Sequence, residues 1–245
     1  MKNITKIILV LLIIAGLSSI NACKKPEKIE NTHDDAYGDV ILKKMNMMGN
    51  IKYALVMFAG GEGIVEDGSK VIAPDGTTYD LHTFFMQGAL KAATQPSPDK
   101  PQAGDYTFQL HFSDGSTKEV TDHLEDTEID VPRMTATFDA TTQTIQLQWT
   151  AVPNADLYCV KITELDMSQK PFYKKPQLPV STTSYTIHID GGQGWLRPTS
   201  ELQDGQEYYV VVAAKKVEQG AEVSGASKDF QTSSCTKVKI TYHSN

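Results

Sequence analysis

The 245-residue sequence predicts an all-β protein: two tandem β-sandwiches after an N-terminal leader and a flexible tether. Three observations carry that reading. Apolar residues alternate with polar ones at a period of two, which sends one set of side chains to a core and the other to solvent. The alternating runs are short. Gly, Asp, Asn and Pro separate them, the residues of tight turns, and the pattern suits stacked sheets better than β-α-β units.

The leader reads MKNITKIILVLLIIAGLSSINACKK. Lys2 and Lys6 precede the apolar run from Ile7 to Leu17. A run of about 11 residues is too short for a bilayer span, which needs roughly 20, but has the length of a signal-peptide core. Ile20-Asn21-Ala22-Cys23 follows and resembles the lipobox of bacterial lipoproteins, with an aliphatic residue at minus three and a small one at minus one. The resemblance implies that residues 1–22 are removed as a signal peptide. It also implies that the Cys23 thiol takes a diacylglyceryl group and the new amino terminus an acyl chain such as palmitate. Several chains hold where one would not, because each buried methylene contributes about 0.8 kcal/mol. Lys24, not Asp, follows Cys23, which under the family's sorting rule implies the outer membrane, facing the periplasm or the cell exterior.

Residues 1–22 carry two lysines and no acid, so their removal leaves 21 basic against 30 acidic residues, a net charge of about −9 against −7 for the whole chain. An acidic chain without a basic run in its sequence argues against a nucleic-acid partner. Residues 23–35, including KKPEKIENTHDD, are too polar to bury a core and are expected to be the tether. His33, Asp34 and Asp35 fall inside it.

Residues 36–130 are expected to form the first sandwich, Ig-like in its strand texture. KYALVMFAGG is an apolar strand candidate, and KVIAPDGTTYDL is a hairpin turning at Asp75-Gly76. HTFFMQGALKAAT reads as either a short helix or a strand, and ATQPSPDKPQAG as a proline-rich loop. GDYTFQLHFSDGSTKEV is a second hairpin, turning at Asp114-Gly115 and placing Tyr106, Phe108, Leu110 and Phe112 on one face. HLEDTEIDVPR is the expected linker.

In the C-terminal part, Ile145, Leu147 and Trp149 alternate with Gln146 and Gln148. Tyr158, Val160 and Ile162 repeat the pattern after the Pro153-Asn154 turn, as do Tyr185, Ile187 and Ile189. Then Leu202 and Gly205 precede Tyr208, Val210, Val212 and Ala214. Residues 134–232 thereby resemble a fibronectin type III domain. Trp149 matches the family's strand B tryptophan, and Leu202, Gly205 and Tyr208 match the approach to strand F. The resemblance implies a sandwich in which the Tyr208 hydroxyl bonds to upstream backbone; Asp204 stands where the family usually has proline. This fold hosts many unrelated functions, so it implies a scaffold and no chemistry. Residues 233–245 continue as a strand or tail, with Val238, Ile240 and Tyr242 on one face.

No GxSxG elbow, HExxH pair, P-loop or CxxC occurs, so no catalytic residue, enzyme activity or cofactor is expected. Gly60, Gly61 and Gly63 read as a loop. His111, Asp122, His123, Glu125 and Asp126 are close in sequence, but the expectation is a solvated acidic linker and no metal. Trp195, Tyr209, Phe172 and Tyr173 are the candidate ligand contacts, because aromatics in loops and on outer sheet faces suit recognition. Cys159 and Cys235 are a possible disulfide pair. They are expected on one outward face with a strand between them, and two strand spacings of roughly 9.6 Å exceed the reach of about 7 Å. The expected function is therefore a lipid-anchored envelope scaffold that binds a protein partner, with an accessory glycan-binding lipoprotein of polysaccharide uptake as the alternative.

Overall fold

The computed structural model describes residues 33–47, 49–84, 88–167, 169–223 and 229–244. The expected signal segment, Cys23 and the expected tether as far as residue 32 lie outside them. His33–Asn245 is one compact unit, and its described residues contain no α-helix.

Eight strands come from the first part of the chain: β1 (Tyr37–Met47), β2 (Asn50–Gly60), β3 (Ile64–Ile72), β4 (Thr78–Asp80), β5 (His82–Thr83), β6 (Ala89–Ala93), β7 (Gly104–Phe112) and β8 (Thr117–Leu124). Seven follow: β9 (Met134–Asp139), β10 (Thr144–Trp149), β11 (Leu157–Thr163), β12 (Tyr173–Pro179), β13 (Ser184–His188), β14 (Glu207–Val217) and β15 (Phe230–Thr241). The ambiguous HTFFMQGALKAAT stretch supplies strands β5 and β6; residues 85–87 lie outside the described set.

One long sheet runs through the whole body in the order β12-β11-β14-β15-β1-β2-β6-β5. A four-stranded sheet, β4-β3-β7-β8, encloses one core with it, containing Val40, Leu42, Met57, Tyr106, Phe108 and Leu110. A three-stranded sheet, β13-β10-β9, encloses a second, containing Ile145, Leu147, Trp149, Tyr158, Val160 and Tyr208. Both cores use the same face of the long sheet, because pairing places Leu42 beside Thr232 and Ala214 beside Ser234. The period of two read from the sequence is the direct cause. Tyr106, Phe108, Leu110 and Phe112 are all buried, while Thr107, Gln109 and His111 between them are half-exposed.

Both predicted hairpin turns form by the same chemistry. The Asp75 carboxylate accepts from Thr77 N at 2.8 Å and the Asp114 carboxylate from Ser116 N at 2.8 Å. Gly76 and Gly115 supply the positive φ of 83° that the turn needs. Glycine is required for another reason at Gly38 on β1, where a Cβ would stand 2.4 Å from the Phe108 ring.

The two halves join through β1 and β15, which pair in parallel from Leu42↔Thr232 to Met45↔Cys235. The tail expected after residue 232 therefore belongs to one strand that also pairs with β14 along its length. Between the two cores the shared face is polar. Thr232 Oγ1 donates to Leu42 O at 3.1 Å, and Ser234 Oγ donates to Ile129 O at 2.7 Å. Gln231 clamps the chain after β8, accepting from Glu125 N at 2.8 Å and donating to His123 O at 2.8 Å. Lys44 pairs with Glu128 at 3.2 Å. The expected linker is thus strapped across the sheet, with Ile129 buried in the second core.

Two sequence readings need correction. Residues 33–35, expected in the tether, belong to the folded body. His33 stacks on Phe112 with centroids 3.6 Å apart and bonds Ser116 Oγ at 3.0 Å; the Asp35 carboxylate accepts from Glu62 N at 2.6 Å. Asp122 and His123, expected in a solvated linker, lie on β8.

Candidate interaction face and junction carboxylates

The aromatic candidates are divided by burial. Phe172 (2 % exposed) and Tyr173 (3 %) lie in the second core and offer no ring face to a ligand. Their polar flanks in KPFYKKP suggest a surface loop, yet Phe172 N donates to Ile162 O at 2.9 Å and carries both rings under the sandwich end. There Phe172 packs edge-on against Tyr208, with the Arg197 guanidinium 3.8 Å above its ring. Tyr173 meets Tyr185, hydroxyl to hydroxyl, at 2.8 Å. Trp195 is partly buried against the same core, edge-on to Tyr173 at 5.4 Å, and its indole N–H donates to His188 O at 3.0 Å. Gly194 makes that approach possible: at φ 99°, a Cβ there would lie 2.6 Å from the Tyr173 ring. The cleft beside them is lined by Glu164, Phe172, Arg197, Glu201 and Glu207. Arg197 is already engaged by Glu164 and by Glu201, the latter at 2.7 Å.

Tyr209 belongs to a different surface, the face of the long sheet opposite the cores. Successive cross-strand rows on that face are Lys161–Val211–Lys237, Cys159–Ala213–Cys235–Met45–Lys52 and Leu157–Lys215–Ser233–Lys43–Ala54. Lys91 follows on β6, beside Phe58. All six lysines are half-buried, as expected of stems lying along the sheet, and the Lys215 ammonium is covered by the Phe230 ring, 3.7 Å from its centroid. Aromatic rings lie among them: Lys237 Nζ is 4.1 Å from the Tyr209 centroid, and Lys91 Nζ is 4.8 Å from that of Phe84. Burial lowers the Lys91 pKa, and the neighbouring Lys43 and Lys161 charges lower it further. Burial brings Lys215 down to about 8, with Lys161 and Lys174 adding to the effect and Asp39 opposing it. An acidic chain therefore carries a cationic face assembled by strand pairing from lysines far apart in sequence.

Cys159 and Cys235 occupy this face with Ala213 directly between them, so the strand order used in the sequence argument holds. Both thiols are free. Cys159 points away from the core as alternation requires, but is only 1 % exposed.

At the junction of the halves, Asp39 on β1, Asp122 on β8 and Glu218 just after β14 place one carboxylate oxygen each within 4.8 Å of one another. Asp122 is fixed in place: Oδ2 accepts from Val40 N at 2.6 Å and Oδ1 from His123 N at 2.9 Å. Asp39 is 4 % exposed, and its Oδ1 is buried with no hydrogen-bond partner. Burial, then Asp122, Glu218 and Asp229, push the Asp39 carboxyl up to about 9; Lys215 opposes the shift. Burial and the charges of Asp122, Asp229 and Glu125 push Glu218 up to about 7. Of this group the sequence reading considered only Asp122, as a linker residue. The available signal was a lone acid in the apolar strand GDVIL, since a buried charge needs compensation.

Compared with known proteins, the chain matches no family model and no curated protein sequence.

Proposed function

We propose that this chain is a non-enzymatic, lipid-anchored scaffold of the cell envelope, held at the outer membrane through Cys23 and docking an acidic protein partner on its lysine face. The observation that carries the proposal is the outer face of the long sheet, where lysines from β1, β2, β6, β11, β14 and β15 line one surface spanning both halves. Such a surface steers an oppositely charged partner and fixes its register. The lipobox-like Ile20–Cys23 segment supports the anchor. The pairing of sheet β13-β10-β9 with β12-β11-β14-β15 supports a fibronectin type III-like reading of residues 134–232. So does Tyr208 Oη, which accepts from Gln203 N at 2.9 Å.

Cross-linking in intact cells, with and without the double substitution Lys43→Glu/Lys161→Glu, tests the proposal. A specific cross-linked partner should disappear in the variant while the abundance of the anchored protein is unchanged. An identical cross-linking pattern in both strains would refute the assigned face.

In the glycan-binding alternative Phe172 and Tyr173 are buried, which leaves Trp195 at the sandwich end and Tyr209 on the lysine face as the candidate contacts. Trp149 is buried too, so a fluorescence change on titration with a polysaccharide panel would report mainly Trp195, and Trp195→Ala should abolish it. A flat titration across the panel removes this reading.

A further inference from the structure

We propose that Asp39, Asp122 and Glu218 form a divalent-cation site, of the calcium class, which ties the two halves of the molecule together. Three separate elements bring the carboxylates to one point: β1 and β8 from the first half, and the β14–β15 connection from the second. The ligand oxygens lie within 4.8 Å of one another. That is no farther apart than opposite oxygens around Ca2+, about 4.6–5.2 Å at metal–oxygen distances of roughly 2.3–2.6 Å. Only oxygen donors are present in the group, which favours a hard cation over zinc or copper.

An independent observation at the same point is the Asp39 side chain. It is 96 % buried, by its 4 % exposure, and its Oδ1 meets no donor. A sealed carboxylate oxygen without a donor is a costly arrangement for the protein alone. It is a suitable arrangement for a ligand awaiting a cation. Asp122 is pre-oriented by Val40 N and His123 N, so binding does not require it to be ordered anew. Glu218 is also tied to its surroundings, its N–H donating to Asp229 O at 3.0 Å. Water would complete the coordination of six to eight oxygens typical of Ca2+. The opposing charge that acts on Asp39 is Lys215 on β14, whose own burial weakens it as a substitute for a divalent ion.

The site does not depend on the proposed lysine-face partner, and its test is independent of that one. Full-length protein is stripped with EGTA, dialysed, and titrated with CaCl2 and with MgCl2 by calorimetry and thermal melting. The expected result is one Ca2+ per chain, with a melting temperature raised by about 5 °C or more at a hundredfold excess over Kd. Glu218→Gln and Asp39→Asn should each weaken Ca2+ binding at least tenfold. Glu218 is half-exposed, so its variant keeps the test valid should Asp39→Asn disturb folding. No Ca2+ binding at millimolar concentration would overturn the proposal and leave the cluster held by protons. Undiminished binding by Glu218→Gln would overturn it equally.

Discussion

Ser234→Ala probes the join between the two halves directly. Ser234 is completely buried on β15, where its hydroxyl donates to Ile129 O at 2.7 Å and pins the strap between the cores to the long sheet. Alanine has almost the same shape but no donor, so little cavity forms and the loss is mainly the hydrogen bond. Leaving a buried carbonyl unsatisfied costs about 1–3 kcal/mol. For a body of this size each kcal/mol corresponds to roughly 2–4 °C in Tm. Urea denaturation should therefore show a lower midpoint with unchanged slope, since the surface exposed on unfolding is the same. Ser233→Ala is the control: its neighbour faces the opposite, half-exposed side and should change stability by less than about 0.5 kcal/mol. Equal effects at the two positions, or none at Ser234, would refute the claim that this bond fastens the halves.

Other consequences are equally specific. Tyr158→Phe removes the buried hydroxyl that accepts from Val152 N at 2.7 Å, and equilibrium unfolding should show a loss of about 1–3 kcal/mol. Without divalent cations, stability should fall as pH rises. Asp39 at about 9 and Glu218 at about 7 lie above their ordinary values of 3.8 and 4.5, so the folded state retains protons the unfolded chain has released. Melting from pH 5 to pH 9 should record the decline, and a flat profile would contradict it. Peptide mapping after alkylation in denaturant, without reductant, should find both Cys159 and Cys235 modified. Alkylation of the native protein should leave Cys159 largely untouched because it is buried.

What could be read from the sequence was local. Alternation in Tyr106–Phe108–Leu110–Phe112 and the Asp-Gly turns depend on neighbours within a few residues, so the two cores and their hairpins were legible. The β1–β15 pairing was not. It is made by backbone hydrogen bonds, which carry no side-chain signature, and it runs across the boundary at residue 232 between the expected domain and the expected strand or tail. The lysine face was hidden for a related reason. Lys43, Lys161 and Lys237 are widely spaced along an acidic chain and meet only because the four strands β11, β14, β15 and β1 lie in register. Asp39, Asp122 and Glu218 have no motif spacing either. In the other direction, Phe172 and Tyr173 sit among lysines and prolines that suggest solvent, yet the chain turns them into the core.

The central claim is that one sheet fuses two sandwich-like cores into a single cooperative body. Differential scanning calorimetry of the protein tests it most directly. The account predicts one endotherm whose calorimetric and van't Hoff enthalpies agree, because melting either core breaks β14–β15–β1 pairing shared with the other. Two separable transitions, with one core surviving the loss of the other, would contradict it.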